Sequence, residues 1–424
     1  MTLVFVIVGL LALLFLGIPV AFALAGLGTV MLVMKGLPLV MVAQSLHGTV
    51  DNFVLLSVPM FLLMSNLLLR GGVGRDLFTA VQSWVGHWPG GLGVAALLSC
   101  GLFSAISGSS VATAATIGTV AIPEMTKRGY GKGFTLGLMA AGGTLGILIP
   151  PSIPLIVYGV ITEESIGKLF LAGVGPGLLL IVLFVIYIVG YAMVTRAHES
   201  VAKATPVERR RATLRALPTA ALAAIMLGGI YSGAFTPTEA SAVGAVAAFI
   251  LTAVILRTLS RAAFAEAVRQ TVSTTIVLFL VVIGAKIFGK AVTLYQVPAM
   301  VSQLVDTHVA TAGLFLLIVA GILLFIGLFL ESLSMLLIMV PVLFPAVIAL
   351  GIDPVWFGIF FVMMIEIALI TPPVGLNLFV IQAVAQSTLG TVIRGVSPFI
   401  ALMLLAVAIL WLLPQIALWI PFNL

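Results

Sequence analysis

The chain has 424 residues, of which 62% are hydrophobic and only 8% are charged. Soluble domains carry roughly 25% charged residues, so this composition excludes an ordinary water-soluble protein and predicts one that sits in a lipid bilayer. The net charge of +6 comes from basic residues in the loops between apolar runs. The positive-inside rule explains such loops, and we therefore expect no nucleic-acid partner.

Apolar runs recur along the chain at lengths that suit spanning helices. A span needs about 20 mostly apolar residues, so the length allows on the order of ten spans. The runs are continuous rather than alternating, which favours helices over a closed barrel. We predict an all-α polytopic membrane protein. Its predicted helices cover residues 3–16, 18–33, 52–69, 134–161, 170–195, 216–232, 238–256, 270–288, 355–385 and 396–420.

Two further apolar stretches, about 92–123 and 312–350, are interrupted by short polar tips. The tips are 107–110 (SGSS) and 331–334 (ESLS). Each stretch is long enough for two half-membrane helices, and an irregular tip at membrane depth must be buried in protein or line a cavity. We predict a re-entrant helical hairpin in each stretch. Two ordinary spans joined by an outside loop are the alternative.

The two halves of the chain resemble each other, which indicates an internal repeat. The first repeat covers 1–195, a polar linker covers 196–215, and the second repeat covers 216–424. Features that match at one constant spacing are Pro123 with Pro345, Ser109-Ser110 with Glu331-Ser332, Pro150-Pro151 with Pro372-Pro373, and Gly173 with Gly395.

Loop charges predict the orientation. If the linker is cytoplasmic and the hairpins are re-entrant, all but four of the 19 basic residues fall on the cytoplasmic side, as the positive-inside rule requires. The exceptions are Lys35, Lys168, Lys286 and Lys290. An odd number of crossings per half then makes the halves inverted repeats and places both termini outside. Inverted repeats are typical of alternating-access transporters.

A proline pair breaks one apolar segment in each half, at 146–152 (GILIPPS) and 370–377 (ITPPVGLN). Proline lacks an N–H and clashes with the preceding turn, so helical carbonyls lose their donors. In a membrane those carbonyls need partners, and a dehydrated Na⁺ is a suitable one. Thr371 and Asn377 add side-chain oxygens to the second break. A purely structural kink is the alternative.

The polar tips predict an anion site. Gly108 allows close backbone approach, and the helix after it, which contains Thr113, points its N-terminus into the membrane. Helix N-termini carry partial positive charge and free N–H groups that suit a carboxylate. Hydroxyls that only bond back to their own helix are the alternative. The tip hydroxyls belong to Ser107, Ser109, Ser110, Ser332 and Ser334.

Ionisable residues at membrane depth are costly and usually functional. Glu331 could complete a cation site or take up a proton, which makes it a candidate coupling carboxylate. Glu366 could instead cap or pair at a helix end, and Glu239 and Lys286 are weaker candidates. The chain has no HExxH spacing and no GxxxxGK[ST] run, so we expect neither an enzyme nor an ATPase, and no cofactor beyond a coupling ion.

Four ordered motifs resemble the large membrane subunit of tripartite ATP-independent periplasmic (TRAP) transporters. The motifs are 107–116 (SGSSVATAAT), 143–152 (GTLGILIPPS), 234–240 (AFTPTEA) and 369–379 (LITPPVGLNLF). The resemblance covers essentially the whole chain. It implies a multi-pass protein of the bacterial inner membrane and an elevator-type transporter driven by Na⁺, whose mobile domain carries the hairpins and broken helices.

The resemblance also implies ion and substrate sites. One Na⁺ site would use Ser107, Ser109 or Ser110 with carbonyls around Gly146, Ile149 and Pro151. The other would use Ser332 and Ser334 with Ala368, Thr371 and Pro373. Substrate contacts are expected from Ser110, Thr113, Ser332, Gly375 and Asn377.

Two partners follow from the resemblance: a small four-helix membrane subunit and a periplasmic substrate-binding protein. The expected substrate is a small organic acid such as a C4-dicarboxylate or sialic acid. A stand-alone, ion-coupled anion carrier of related inverted-repeat fold, needing no binding protein, is the alternative.

Overall fold

The computed structural model describes residues 2–195, 202–308 and 311–423, and all the regular secondary structure among them is helical. This confirms the predicted all-α membrane fold. In chain order the helices are α1 (Thr2–Phe15), α2 (Val20–Met34), α3 (Val40–Val50), α4 (Ser57–Arg70), α5 (Val73–Val85), α6 (Gly91–Ser107), α7 (Ser110–Lys127), α8 (Lys132–Leu148), α9 (Ile153–Thr162), α10 (Ile166–Thr195), α11 (Pro206–Tyr231), α12 (Pro237–Phe249), α13 (Arg261–Leu294), α14 (Val297–His308), α15 (Ala312–Ile326), α16 (Ser332–Ala349), α17 (Pro354–Ile370), α18 (Leu376–Ala385), α19 (Leu389–Leu412) and α20 (Gln415–Asn423).

Within the described part of the chain, seven helices are long and apolar enough to cross a membrane, or eight if the bent pair α4–α5 forms one span. That set counts α8 and α9 together as one span, Lys132–Thr162, and α12 together with the π-helical segment Ile250–Ile255 that continues it. Helix α2, in the predicted span 18–33, has 15 residues, or about 23 Å at 1.5 Å per residue, less than the roughly 30 Å hydrocarbon core. Helix α15 also has 15 residues, a length that suits the half-membrane helix predicted for the second hairpin.

One layer of the fold is built around α2, α4, α12 and α13, which we call the scaffold layer. Glycines let α2 and α13 approach closely, as small residues do between membrane helices. A Cβ on Gly28 would lie 2.8 Å from the backbone of Phe288, and one on Gly284 would meet the carbonyl oxygen of Ala21. Asn66 on α4 donates a hydrogen bond to Thr271 on α13 at 3.0 Å, which ties the layer together.

The other layer contains α6–α9, α15–α18, α10 and α19, and we call it the hairpin layer. Its two halves meet where α8 packs on α19. There the backbones of the two helices touch at Gly137 and Gly395, since a Cβ on either glycine would overlap the backbone of the opposite helix. Both predicted hairpin stretches consist of two helices meeting at the polar tip, α6–α7 and α15–α16.

Both predicted broken helices are interrupted at their proline pairs. Helix α8 ends at Leu148 and α9 starts after Ser152, whose hydroxyl accepts from the Leu155 N–H at 3.3 Å. Helix α17 ends at Ile370 and α18 starts after Gly375. The Pro150-Pro151 and Pro372-Pro373 bonds are both cis.

The linker region contains more structure than its polarity suggests. Residues 206–215 form the first turns of α11, which begins with a capping box between Thr205 and Glu208. The guanidinium of Arg209 lies 5.3 Å from the centre of the Trp84 ring on α5, and its Nε donates to the Ser83 carbonyl at 3.1 Å. The rest of the predicted linker at 196–201, including Arg196, lies outside the described residues.

Candidate functional site

A cavity of about 380 Å³ lies between the scaffold layer and the tips of both hairpins. Helices α4 and α13 form one wall, and the ends of α7 and α16 form the other. The polar tips of both halves of the chain line this one cavity. The polar residues of its lining are Ser65, Asn66, Gln270 and Thr274 on the scaffold side and Ser109, Ser110, Glu331 and Ser332 on the hairpin side.

The first tip rests on the first broken helix. A Cβ on Gly146 would lie 2.5 Å from the Ser109 carbonyl oxygen, and one on Gly108 would lie 2.5 Å from the Pro151 carbonyl oxygen. Gly108 also has a positive φ of 59°, a conformation that glycine adopts readily. The structure therefore brings together the predicted group of Ser109, Gly146 and Pro151.

The hydroxyls of this tip already form hydrogen bonds within the hairpin. The Ser107 hydroxyl lies 2.8 Å from that of Thr113, and both side chains are buried. Ser109 caps α7 by accepting from the Ala112 N–H at 3.4 Å. Because Pro150 and Pro151 have no N–H, the carbonyls of Gly146 and Ile147 lose their helical donors. The break therefore leaves carbonyl oxygens without helical donors next to the first tip.

The second tip is arranged differently. Glu331 caps α16, its Oε1 accepting from the Ser334 N–H at 3.2 Å and from the Ser334 hydroxyl at 3.0 Å. A Cβ on Gly327 would overlap the Cβ of Ala368, so the end of α15 meets the end of α17. The Thr371 hydroxyl donates to the Ile367 carbonyl at 2.6 Å.

The two remaining residues of the predicted second ion site face differently. Ser332 lines the cavity, whereas Pro373 is exposed within the break. Ala368 is fully buried under Gly327. The structure thus places Ala368 beside the second hairpin, while the hydroxyls of Ser334 and Thr371 bond within their own segments. Both predicted Na⁺ sites remain predictions.

Among the predicted substrate contacts, Ser110 and Ser332 line the cavity. Thr113, Gly375 and Asn377 lie behind its wall, buried in the hairpin layer. Asn377 reaches the site through a neighbour, because its Nδ2 donates to the Ser110 hydroxyl. Ser110 in turn donates to the Glu366 carboxylate at 3.3 Å. These contacts join the first hairpin to the second broken helix.

The scaffold wall was not predicted as part of the site. Asn66 and Gln270 contribute amide groups to the cavity lining, and Gln270 accepts from Arg70 at 3.2 Å. Arg70 also pairs with Glu266 at 3.4 Å. Polar residues inside the apolar runs 52–69 and 270–288 are the sequence signal that could have indicated this wall.

Two predicted membrane-depth charges lie elsewhere. Glu239 is exposed at the start of α12, where it forms a capping box with Thr236: the Thr236 N–H donates to Glu239 at 2.9 Å, and the Glu239 N–H donates to the Thr236 hydroxyl at 3.2 Å. Its role is to cap a helix. Lys286 is half-buried on α13 and does not line the cavity.

The all-helical fold, with two polar hairpin tips and two broken helices around one cavity, is that of a membrane transporter. The chain belongs to the family described as tripartite ATP-independent periplasmic transporter, DctM component, which it matches over residues 7–416. It is thus a TRAP transporter permease, as the motifs predicted.

Named relatives agree with this assignment. The chain is 42% identical to the C4-dicarboxylate TRAP transporter large permease protein DctM of Pseudomonas aeruginosa, covering 89% of this chain and 88% of that one. It is 38% identical to the sialic acid TRAP transporter large permease protein SiaM of Vibrio cholerae, covering 97% of each.

A solved structure shares the fold. The YdaH transporter of Alcanivorax borkumensis superposes with a TM-score of 0.64 over 91% of this chain and 89% of that one. The two sequences are only 14% identical, so the likeness concerns the fold alone.

Proposed function

We propose that this permease carries a small organic acid, a C4-dicarboxylate, sialic acid or a similar carboxylate, inward across the bacterial inner membrane with Na⁺ as the coupling ion. The observation that carries the proposal is the cavity in which both hairpin tips face the scaffold wall. The relatives named for C4-dicarboxylates and sialic acid support the substrate class.

The cavity suits a carboxylate because α7 begins at it. This helix starts at Ser110 in the cavity lining behind the neutral cap Ser109, and the first N–H groups of a helix have no intrahelical acceptor. Those groups and the positive end of the helix dipole attract anions, whereas the start of α16 is already capped by the carboxylate of Glu331. On the opposite wall, Asn66 and Gln270 provide amide groups that orient a polar ligand.

Sodium coupling is supported by the chemistry of the breaks. Each break presents carbonyl oxygens whose helical donors the proline pair removes, and each lies next to a hairpin tip through Gly146 or Gly327. An ion held between tip and break would fix the same tip that contacts the substrate, which is how binding of one ligand favours the other. Glu331, at the second tip, is the candidate coupling carboxylate for the case in which protons rather than Na⁺ drive uptake.

An elevator motion is supported by the two layers. The hairpin layer carries both tips and both breaks, and the scaffold layer contributes only one wall of the cavity. The proposed motion displaces the first layer along the second with the substrate between them. A test is to place cysteines at Leu62 and Val111, which line opposite walls, in a Cys100→Ala background. Cross-linking should abolish uptake, and full uptake by the cross-linked protein would exclude relative motion of the walls.

The proposed partners are a small four-helix membrane subunit and a periplasmic substrate-binding protein. The decisive experiment reconstitutes the permease with the small subunit in liposomes and measures uptake of labelled C4-dicarboxylate and sialic acid, each with its binding protein. We expect uptake only with an inward Na⁺ gradient and the binding protein. Uptake unchanged after replacing Na⁺ with K⁺ would reject sodium coupling and leave protons through Glu331.

The same assay distinguishes the tripartite transporter from the alternative, a stand-alone carrier. Uptake at the full rate without any binding protein would show a stand-alone anion carrier of this fold. Retention of the Na⁺ requirement in that case would leave the ion proposal intact while removing the partner.

A further inference from the structure

Glu366 is a carboxylic acid inside the hairpin layer. It lies near the end of α17, and only 2% of it is exposed. A buried carboxylate must be paired, coordinated to a cation or neutralised, because its hydration is lost. Among the described residues the ion pairs are Arg70 with Glu266 and Arg128 with Glu124. No basic side chain in the described part of the chain therefore compensates Glu366.

The hydrogen bonds of Glu366 are incomplete. Its Oε2 accepts from the Ser110 hydroxyl at 3.3 Å, whereas its Oε1 is buried without a partner. Asn377 is in the same state: it is fully buried, its Nδ2 donates to the Ser110 hydroxyl, and its Oδ1 is buried without a partner. Buried polar atoms are almost always satisfied. Two orphaned acceptors therefore need an explanation.

The orphaned atoms belong to one cluster and have the same chemistry. Ser110 accepts from Asn377 and donates to Glu366, so its hydroxyl joins the two side chains. Both orphaned atoms are oxygens, and in an amide and an ionised carboxylate such oxygens only accept. A bound cation satisfies several such acceptors at once and also compensates the negative charge. Hard oxygen ligands of this kind suit Na⁺, Mg²⁺ or Ca²⁺ rather than a soft metal.

We propose that Glu366, Asn377 and Ser110 form a third Na⁺ site, inside the hairpin layer and separate from the two tip-and-break sites. One carboxylate balances the charge of a monovalent ion. A divalent ion in proteins takes six or more ligands and usually several carboxylates or waters, which this apolar surrounding does not offer. The inference rests on the proposed sodium coupling, because it takes the coupling ion to be the cation available.

The position of this site gives it a specific role. Ser110 opens α7 in the first half, and Glu366 and Asn377 lie on α17 and α18 in the second half. An ion here would hold the first hairpin tip against the second broken helix. The ion would also neutralise Glu366, so that the moving layer would not carry this buried charge uncompensated across the membrane.

The test uses the purified full-length protein in nanodiscs. Equilibrium binding of ²²Na⁺ is measured on wild type, Glu366→Gln, and the control Glu239→Gln, which alters an exposed carboxylate on α12. We expect Glu366→Gln to bind one Na⁺ fewer per chain, with the control unchanged. Thermal unfolding at rising Na⁺, at constant ionic strength with choline, should show a correspondingly smaller stabilisation in Glu366→Gln.

Other outcomes overturn the inference in distinguishable ways. If wild type and Glu366→Gln bind equal numbers of Na⁺, the orphaned atoms are met by a proton or a water and the third site does not exist. If wild type binds no Na⁺ at all, the proposed sodium coupling fails together with it.

A second variant guards against misfolding of Glu366→Gln. Asn377→Leu removes one proposed ligand and leaves Glu366 in place, and we expect it to weaken ²²Na⁺ binding at the third site. Unchanged ²²Na⁺ binding by folded Asn377→Leu would show that the cluster is not a cation site.

Discussion

The two hairpins occupy matching positions in the two halves, yet their surroundings differ. Helices α6 and α7 pack on each other, and their tip is buried against α8 and bonded to the second half through Ser110. Helices α15 and α16 do not pack along their length, and their tip is capped by its own Glu331, which faces the cavity. The first tip is thus held by neighbours and the second by itself.

This difference shows that matching positions in two sequence repeats need not make the same tertiary contacts in the structure. At the position where the first half has Gly146, the second half has Ala368. The first tip lies so close to its break that no Cβ fits, whereas Gly327 on the hairpin makes room for Ala368. In the first half the glycine of the contact belongs to the broken helix, whereas in the second half it belongs to the hairpin. The first tip is therefore the more rigid part of the site.

The largest effect is expected from Gly146→Ala. The new Cβ would meet the Ser109 backbone, and overpacking of this kind costs about 1–3 kcal/mol at a contact that cannot move aside. We expect a loss of uptake in proteoliposomes of at least roughly tenfold. The matched control is Gly190→Ala, where nothing lies within 4 Å. Equal activity of the two variants would show that the first tip is not tightly held.

The next effect distinguishes the two tips through the serine at which α7 or α16 begins. Ser110→Ala leaves Glu366 and Asn377 without a buried partner, which costs about 1–3 kcal/mol. Ser332→Ala removes a hydroxyl on the cavity side and should change stability by less than about 0.5 kcal/mol. Thermal unfolding in nanodiscs measures both. A similar loss in the two variants would contradict the assignment of the rigid tip.

A smaller effect is expected on the apparent affinity for Na⁺. Removing one neutral oxygen ligand, by Ser109→Ala in the first half or Thr371→Val in the second, should weaken apparent Na⁺ affinity by roughly two- to tenfold. The readout is the initial rate of uptake against Na⁺ concentration, with maximal rate fitted separately. Wild-type Na⁺ dependence in both variants would show that the ion sites are misplaced.

The smallest effect is expected from a substitution of Glu331, which caps α16 at the second tip. In Glu331→Gln the amide oxygen can still accept from Ser334, so only the charge at the helix N-terminus is lost, worth about 0.3–1 kcal/mol. We expect a slight decrease in unfolding temperature and unchanged Na⁺-driven uptake. Loss of uptake with a folded protein would instead identify Glu331 as the coupling carboxylate.

Much of the fold could be predicted because its signals are local. Proline pairs, glycine-containing tips and long apolar runs located both breaks and both hairpins within a few residues. The short helices α3 and α14 were missed, since neither contains a run long enough to suggest a span. Glu239 was misread as a membrane-depth charge although Thr236 precedes it by three residues, the spacing of a capping box.

The site could be predicted only in part, because it depends on contacts between distant segments. The tip serines and the proline breaks were identified from their own neighbourhoods. The bond from Ser110 to Glu366 spans 256 positions along the chain, and no local pattern indicates it. The scaffold wall with Asn66 and Gln270 likewise appears only once α4 and α13 are packed together.

Helix α5 links parts of the molecule that the proposed motion would separate. Its far end is anchored to α11 by Trp84 and Arg209, while its body packs on α6 and α7. At its start the chain turns by 68° from α4 through Gly71 and Gly72, the latter with a φ of 74°. In the proposed motion, helix α5 would be a tether between the stationary and moving parts, and this glycine corner would limit how far the first hairpin travels.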